Sequence, residues 1–91
     1  MRVRWLNSAL ISLRASLRHL HEENPAAALD SARRIKRAVA RLETFPLSGR
    51  LGTVEGTREV VTPGLPFIIV YRVTDSDVQV LRVFHSRRAL P

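Results

Sequence analysis

Three short segments near the end of the chain have the composition of successive β-strands, and they constrain the fold more than any other feature. Residues 57–62 are rich in β-forming side chains, residues 67–74 form a continuous apolar run, and residues 77–85 follow directly. Pro63-Gly64 and Asp75-Ser76 supply turn residues between them. The pattern predicts an antiparallel sheet whose middle strand, residues 67–74, is central.

Two amphipathic helices precede these strands. The first has an apolar stripe at helical spacing, formed by Leu10, Leu13, Leu17 and Leu20. The stripe of the second consists of Ala28, Ala32, Ile35, Val39 and Leu42. Asn24-Pro25 ends the first helix and begins the second, because Asn is a preferred cap and Pro fits the first helical turn. Asn7 or Ser8 is expected to cap the first helix, and Phe45-Pro46 ends the second.

Residues 2–5 alternate polar and apolar side chains, which is typical of a short strand before the first helix. The predicted order is therefore β-α-α-β-β-β, an α+β fold in which a helical hairpin packs on one face of an antiparallel sheet. The length of 91 residues suits a single domain, residues 1–91.

The charge balance restricts the partners of such a domain. With 15 Lys and Arg against 8 Asp and Glu, the net charge of +7 predicts attraction to a polyanion or an acidic protein. The chain has no Cys. His19 and His21 are two residues apart on a predicted helix and do not face each other, and His85 lies far away in sequence, so neither a metal nor another cofactor is expected. The longest apolar stretch, residues 65–71, is too short to cross a bilayer, which predicts a soluble, cytoplasmic protein without membrane contact.

An ordered set of motifs spans nearly the whole chain. The set is Val3-x-Trp5, Ala9, Asn24-Pro25-x-Ala27-Ala28, Leu42-x-x-x-Pro46-x-x-Gly49-Arg50, Arg58-Glu59, Tyr71-Arg72-Val73 and His85-x-x-Arg88. With these motifs in this order and at these spacings, the chain resembles the RelE/ParE toxin superfamily, whose members share the element order predicted above.

The resemblance implies the toxic half of a bacterial type II toxin–antitoxin pair. It implies a cognate antitoxin with an acidic or amphipathic segment, and contact with operator DNA only through the toxin–antitoxin complex. It also implies one of two targets. ParE-like members inhibit DNA gyrase, whereas RelE-like members cleave mRNA on the ribosome without a metal.

Candidate site residues lie mostly near the ends of the predicted strands. If the chain is a nuclease, His85 would be the acid or base, and Arg87 and Arg58 would hold phosphate. The remaining binding candidates are Arg50, Tyr71, Arg82 and Arg88. On a regular strand His85 would share a face with Val83 and Leu81, and Arg82 would point the other way.

Two departures from the RelE-like pattern favour the gyrase target. RelE-like nucleases carry an Arg in the strand before the Val-Tyr pair, where this chain has Ile68. They also have a Lys-, Glu- or His-bearing loop after the second helix, whereas residues 47–55 here contain only Arg50 and Glu55 as charged residues. Arg87 does match an Arg of such enzymes, but residues 66–73 and 85–88 are similar to the ParE-like branch. An inhibitor of gyrase that is not an enzyme is therefore preferred over an mRNA endonuclease, and a non-toxic basic binding module is a third alternative.

Structural roles compete with these functional ones. Tyr71 would be a core residue with its hydroxyl at the rim. His85 would bond a neighbouring backbone carbonyl, and either Arg58 or Glu59 would form a cross-strand ion pair. The arginines of the second helix would form a solvated face.

Overall fold

The computed structural model describes residues 1–88, and the side chain of Arg88 is not part of that description. Two helices and five strands follow one another as β1 Arg2–Trp5, α1 Asn7–Glu23, α2 Pro25–Ala40, β2 Arg50–Leu51, β3 Arg58–Val61, β4 Phe67–Val73 and β5 Asp77–His85. Short 3-10 turns occupy Arg41–Glu43 and Ser86–Arg88. The predicted α+β class and element order are confirmed, with the two-residue strand β2 as an addition.

The five strands form one sheet in the order β1-β5-β4-β3-β2. Strands β2 to β5 are antiparallel to their neighbours, as predicted, but β1 pairs with β5 in parallel, from Arg2 opposite Asp77 to Trp5 opposite Val80. The sheet is therefore mixed and not wholly antiparallel. The direction of β1 relative to β5 could not be predicted from the sequence, because no turn joins the two strands and no local residue determines how they pair.

The helical hairpin covers one face of the sheet, here called the helix-covered face, and the core lies between the two layers. The buried core residues from the helices are Ala9, Leu13, Ile35 and Val39, and those from the sheet are Phe67, Ile69, Val80 and Val83. A second cluster joins Leu42, Tyr71 and Val78. Most members of the predicted α2 stripe are buried, whereas Leu13 is the buried member of the α1 stripe.

The start of α2 agrees with the prediction, whereas the start of α1 differs from it. The Asn24 side chain accepts a hydrogen bond from the Ala27 N–H at 3.1 Å, and Pro25 begins α2, as expected. At the start of α1, however, Leu6 occupies the capping position and makes no side-chain cap bond. Asn7 and Ser8 are already helical. The Ser8 hydroxyl is used elsewhere, because it donates to the Leu81 carbonyl at 2.8 Å.

A row of serines on α1 hydrogen-bonds the backbone of β5 beyond the point where β1 ends. In addition to the Ser8 bond, Ser12 Oγ accepts the Val83 N–H at 2.9 Å, and Ser16 Oγ donates to the Val83 carbonyl at 3.1 Å. Serines four residues apart lie on one face of a helix, so the row can follow the strand. Backbone groups that would form an exposed sheet edge are thereby paired with a helix.

A β-bulge at Leu81 changes which residues of β5 share a face. Tyr71 pairs with Val80, but the preceding Val70 pairs with Arg82, so Leu81 has no partner in the register. Val80 and Val83 therefore both point into the core. Leu81 lies on the opposite face, and the prediction that it shares a face with Val83 and His85 is wrong.

Candidate interaction surfaces and the predicted site residues

Tyr71 holds the loop that joins α2 to β2. Its hydroxyl donates to the Pro46 carbonyl at 2.8 Å and accepts the Gly49 N–H at 2.9 Å. The side chain is fully buried, so the predicted structural role is correct and its surface is not available to a ligand. Gly49 is required beside it, because a Cβ there would lie 2.6 Å from the Tyr71 hydroxyl oxygen and 2.8 Å from the Glu59 carbonyl oxygen.

Arg58 holds the same loop from the neighbouring strand. It is paired with Tyr71 across β3 and β4, so the two side chains share the helix-covered face. Its Nη1 donates to the Gly49 carbonyl at 2.9 Å and to the Leu47 carbonyl at 3.3 Å. Two of the predicted site residues, Arg58 and Tyr71, are therefore brought together to position residues 46–49.

The uncovered face of the sheet bears a groove of about 510 Å³, here called the open-face groove. Its apolar residues are Val54, Ile68, Val70, Leu81 and Phe84, and its charged residues are Arg50, Glu59 and Arg82. Ile68 lies on this floor where RelE-like nucleases would carry an arginine. Two of the predicted binding residues, Arg50 and Arg82, thus line one surface.

The charged groups of the open-face groove interact with partners within the groove. Arg50 pairs across the strands with Glu59, with Nη2 at 3.1 Å and Nε at 3.2 Å from the same carboxylate oxygen. The guanidinium carbon of Arg82 lies 4.7 Å from the centre of the Phe84 ring, a cation–π contact. The groove therefore has the properties of an apolar contact surface with a basic rim.

His85 lies on the helix-covered face, away from the open-face groove. It lines a separate cleft of about 300 Å³ with Ser16, His19, Glu23 and Phe67. Its ring packs edge-on against Phe67, with centroids 5.5 Å apart. As predicted, His85 and Arg82 are on opposite faces and cannot act on one substrate atom together.

The hydrogen bond of His85 restricts its acid–base chemistry. The Arg87 backbone N–H, which can only donate, lies 3.2 Å from His85 Nδ1. In the neutral ring the proton must then reside on Nε2, so the remaining nitrogen is a donor and not a base. The Arg87 side chain is exposed. The predicted binding role of Arg88 concerns a side chain outside the described residues.

A second groove, which was not singled out from sequence, lies between the outer surfaces of α1 and α2 and is here called the helix groove. It measures about 690 Å³. Its apolar floor comes from Leu10, Leu13, Leu17, Ala28, Leu29 and Ala32, and its rim carries Arg14, Arg18, His21 and Lys36. Leu17 belongs to the α1 stripe that was assigned to the core and is half-buried, whereas the exposed Leu29 lies outside both predicted stripes.

Within residues 1–88, no group of three or more His, Cys, Asp or Glu side chains is arranged to hold a metal ion. None of the helices described in this part of the chain combines the length and the apolar character needed to span a bilayer.

A small α+β domain with a helical hairpin on a mixed five-stranded sheet is the class of protein that this architecture defines. The sequence model described as "ParE toxin of type II toxin-antitoxin system, parDE" matches residues 3–90. The chain belongs to this ParE toxin family.

Relatives and solved structures agree with that assignment. The Y4kP protein of Sinorhizobium fredii is 38% identical over 90 residues, covering 99% of this chain and 93% of the relative. Toxin RelE2 of Caulobacter vibrioides is 36% identical over 84 residues, covering 92% and 93%.

Among solved structures, a chain of the chromosomal ParDE system from P. aeruginosa superimposes with a TM-score of 0.84 at 27% identity, covering 93% of this chain and 95% of that one. A chain of the RelBE2 toxin–antitoxin complex from Mycobacterium tuberculosis gives a TM-score of 0.60 at 25% identity, covering 92% and 95%.

Proposed function

We propose that this ParE-family toxin arrests growth by binding DNA gyrase, and that it does so through surface contacts without acid–base chemistry of its own. The observation that carries the proposal is the separation of the nuclease candidates. His85 lies in a cleft beside Phe67, with Arg87 exposed in the turn that follows, whereas Arg58 is bonded to loop carbonyls beside Tyr71 at the other end of β4. The binding candidate Arg82 lies on the open face, away from His85. A metal-independent ribonuclease needs a base, an acid and phosphate ligands around one phosphodiester.

The chemistry of the open-face groove supports the same conclusion. Among the side chains that line it, Glu59 is the only carboxylate and there is no imidazole, and Glu59 is paired with Arg50. The groove instead presents Leu81 and Phe84 above the buried Ile68, with Arg82 beside them. Apolar and aromatic side chains with an arginine rim are typical of protein contact surfaces.

The structural comparisons favour the ParE-like branch, to which the proposed gyrase target belongs. The superposition on the ParDE chain is closer, with a TM-score of 0.84, than the one on the RelBE2 chain, at 0.60, although the two sequence identities are similar.

A cognate antitoxin is the second partner in this proposal, and the helix groove is its docking site. The apolar floor, which includes Leu17 and Leu29, fits the apolar face of an amphipathic helix. The rim residues Arg14, Arg18 and Lys36 complement acidic side chains on either side of that face.

The test is supercoiling of relaxed plasmid by DNA gyrase with this chain titrated in, resolved as topoisomers and cleaved DNA on a gel. Inhibition of supercoiling or trapped cleaved plasmid supports the proposal. If a folded sample that arrests growth leaves gyrase unaffected, the proposal is wrong, and ribosome-dependent mRNA cleavage becomes the function to test.

A further inference from the structure

Basic side chains of α2 and of the 3-10 turn after it line two surfaces of different character. Lys36 of α2 lines the helix groove. Arg34 and Arg37 of α2 and Arg41 of the turn line a separate cleft of about 180 Å³ on the other side of the helix. Positions 34, 37 and 41 fall within about 60° of one another around a helix of 3.6 residues per turn. These three residues are called the arginine row.

The arginine row has one fixed member and two free ones. Arg34 donates to the Pro63 carbonyl and lies 3.7 Å from the Asp30 carboxylate, so its guanidinium is anchored against the turn before β4. Arg37 and Arg41 are exposed, and no carboxylate of the described side chains, residues 1–87, lies within ion-pairing distance of either. Two unpaired guanidinium groups therefore face solvent beside a third that is held in place.

The surroundings of the row decide which kind of anion it suits. Apart from the arginines, the cleft is lined by Ala38 and Pro63, and it contains no acidic or aromatic side chain. An amphipathic protein helix would have almost no apolar surface to bury there, unlike in the helix groove. A single-stranded nucleic acid would find no aromatic ring on which to stack a base. Duplex phosphates, by contrast, need only cations at a suitable spacing.

We infer that the arginine row is a contact site for the phosphate backbone of duplex DNA. From Arg34 to Arg41 the row extends about 10 Å along the helix axis. Over that length duplex DNA presents about six phosphate charges. None of the residues that line this cleft lines either of the two proposed protein-binding grooves. The inference does not require the gyrase target, because it concerns the affinity of this chain for DNA alone.

The experiment measures binding of a fluorescent 20-base-pair duplex of arbitrary sequence by anisotropy between about 50 and 200 mM salt, the range over which phosphate contacts lose affinity steeply. The test variant is Arg37→Gln/Arg41→Gln. The matched control is Arg2→Gln/Arg4→Gln, which removes the same charge from exposed positions on β1. Single-stranded DNA, duplex RNA and poly-glutamate serve as competitors.

If the row binds the duplex, the slope of log K against log salt falls by about 2 in the test variant, at about 0.9 per phosphate contact, and changes little in the control. Equal losses in both variants would mean a diffuse charge effect and would overturn the inference. Stronger competition by any of the three competitors than by unlabelled duplex DNA would also overturn it. Should the double variant fail to fold, Arg37→Gln alone is expected to lower the slope by about 1.

Discussion

The hydroxyl of Tyr71 and the backbone nitrogen of Gly49 are 2.9 Å apart, and this contact joins the central strand of the sheet to the loop after α2. The same hydroxyl donates to the Pro46 carbonyl, so one side-chain oxygen satisfies two backbone groups. The Tyr71-Arg72-Val73 motif and Gly49 thus form one structural unit, although 22 residues separate Tyr71 from Gly49.

Tyr71→Phe should destabilise the fold without altering its chemistry at any exposed surface. The substitution leaves the Gly49 N–H and the Pro46 carbonyl without their partner, and each unpaired buried group costs about 1–3 kcal/mol. A loss of about 2 kcal/mol or more in the free energy of unfolding is expected from urea denaturation. An unchanged midpoint would show that water replaces the hydroxyl and that the contact does not hold the loop.

Ser12→Ala should weaken the attachment of α1 to β5. Ser12 Oγ accepts the Val83 N–H and donates to the Ala9 carbonyl, so its removal leaves a partly buried N–H unpaired. The expected cost is about 1–2 kcal/mol, with faster hydrogen exchange at the Val83 amide. Ser76→Ala is the control, because Ser76 is exposed in a turn and should change stability by less than about 0.5 kcal/mol. Equal effects of the two substitutions would contradict the role of the serine row.

The serine row and the Leu81 bulge mark the limit of what the sequence could predict. The spacing of apolar residues predicted the two helices and the successive strands, because each element repeats its apolar pattern over several helical turns or residue pairs. The α1 serines, in contrast, bond a strand about 70 residues away, and isolated serines at a spacing of four have no distinguishing local signal. The bulge similarly places Leu81 on the face opposite to the one that regular strand alternation predicts for it.

The candidate site was predicted less completely than the fold. The opposition of His85 and Arg82 followed from strand alternation, and it holds although the bulge lies nearby. The attachment of Arg58 to the Leu47 and Gly49 carbonyls was not predicted, because it depends on how a non-repetitive loop folds back on β3. The arginine row was visible as a helical spacing, but only the position of Pro63 distinguishes it from an ordinary solvated face.

Leu29→Glu should weaken neutralisation by the cognate antitoxin while leaving the toxin folded. Leu29 is 53% exposed on the floor of the helix groove, so the monomer tolerates a carboxylate there, whereas a docked acidic amphipathic helix would bury it beside like charges. Affinity should fall by about tenfold or more, which is typical of central contact residues. The change can be measured by calorimetry and by growth during co-expression.

The matched control for the helix groove is Leu51→Glu, because Leu51 is 77% exposed on β2 and does not line that groove. It should leave antitoxin affinity unchanged within about twofold, as expected for a site without contact. If both substitutions weaken the complex equally, the antitoxin does not use the helix groove as its main docking site.

The most direct test of the central claim, inhibition by contact without acid–base chemistry, is the effect of His85→Ala on gyrase supercoiling and growth arrest. The substitution removes an edge contact with Phe67 and one hydrogen bond to the Arg87 backbone, so the folded fraction is checked by circular dichroism. We expect the folded variant to inhibit gyrase and to arrest growth as strongly as the parent chain. A folded variant that no longer arrests growth, together with mRNA cleavage on ribosomes by the parent chain, would contradict inhibition by contact.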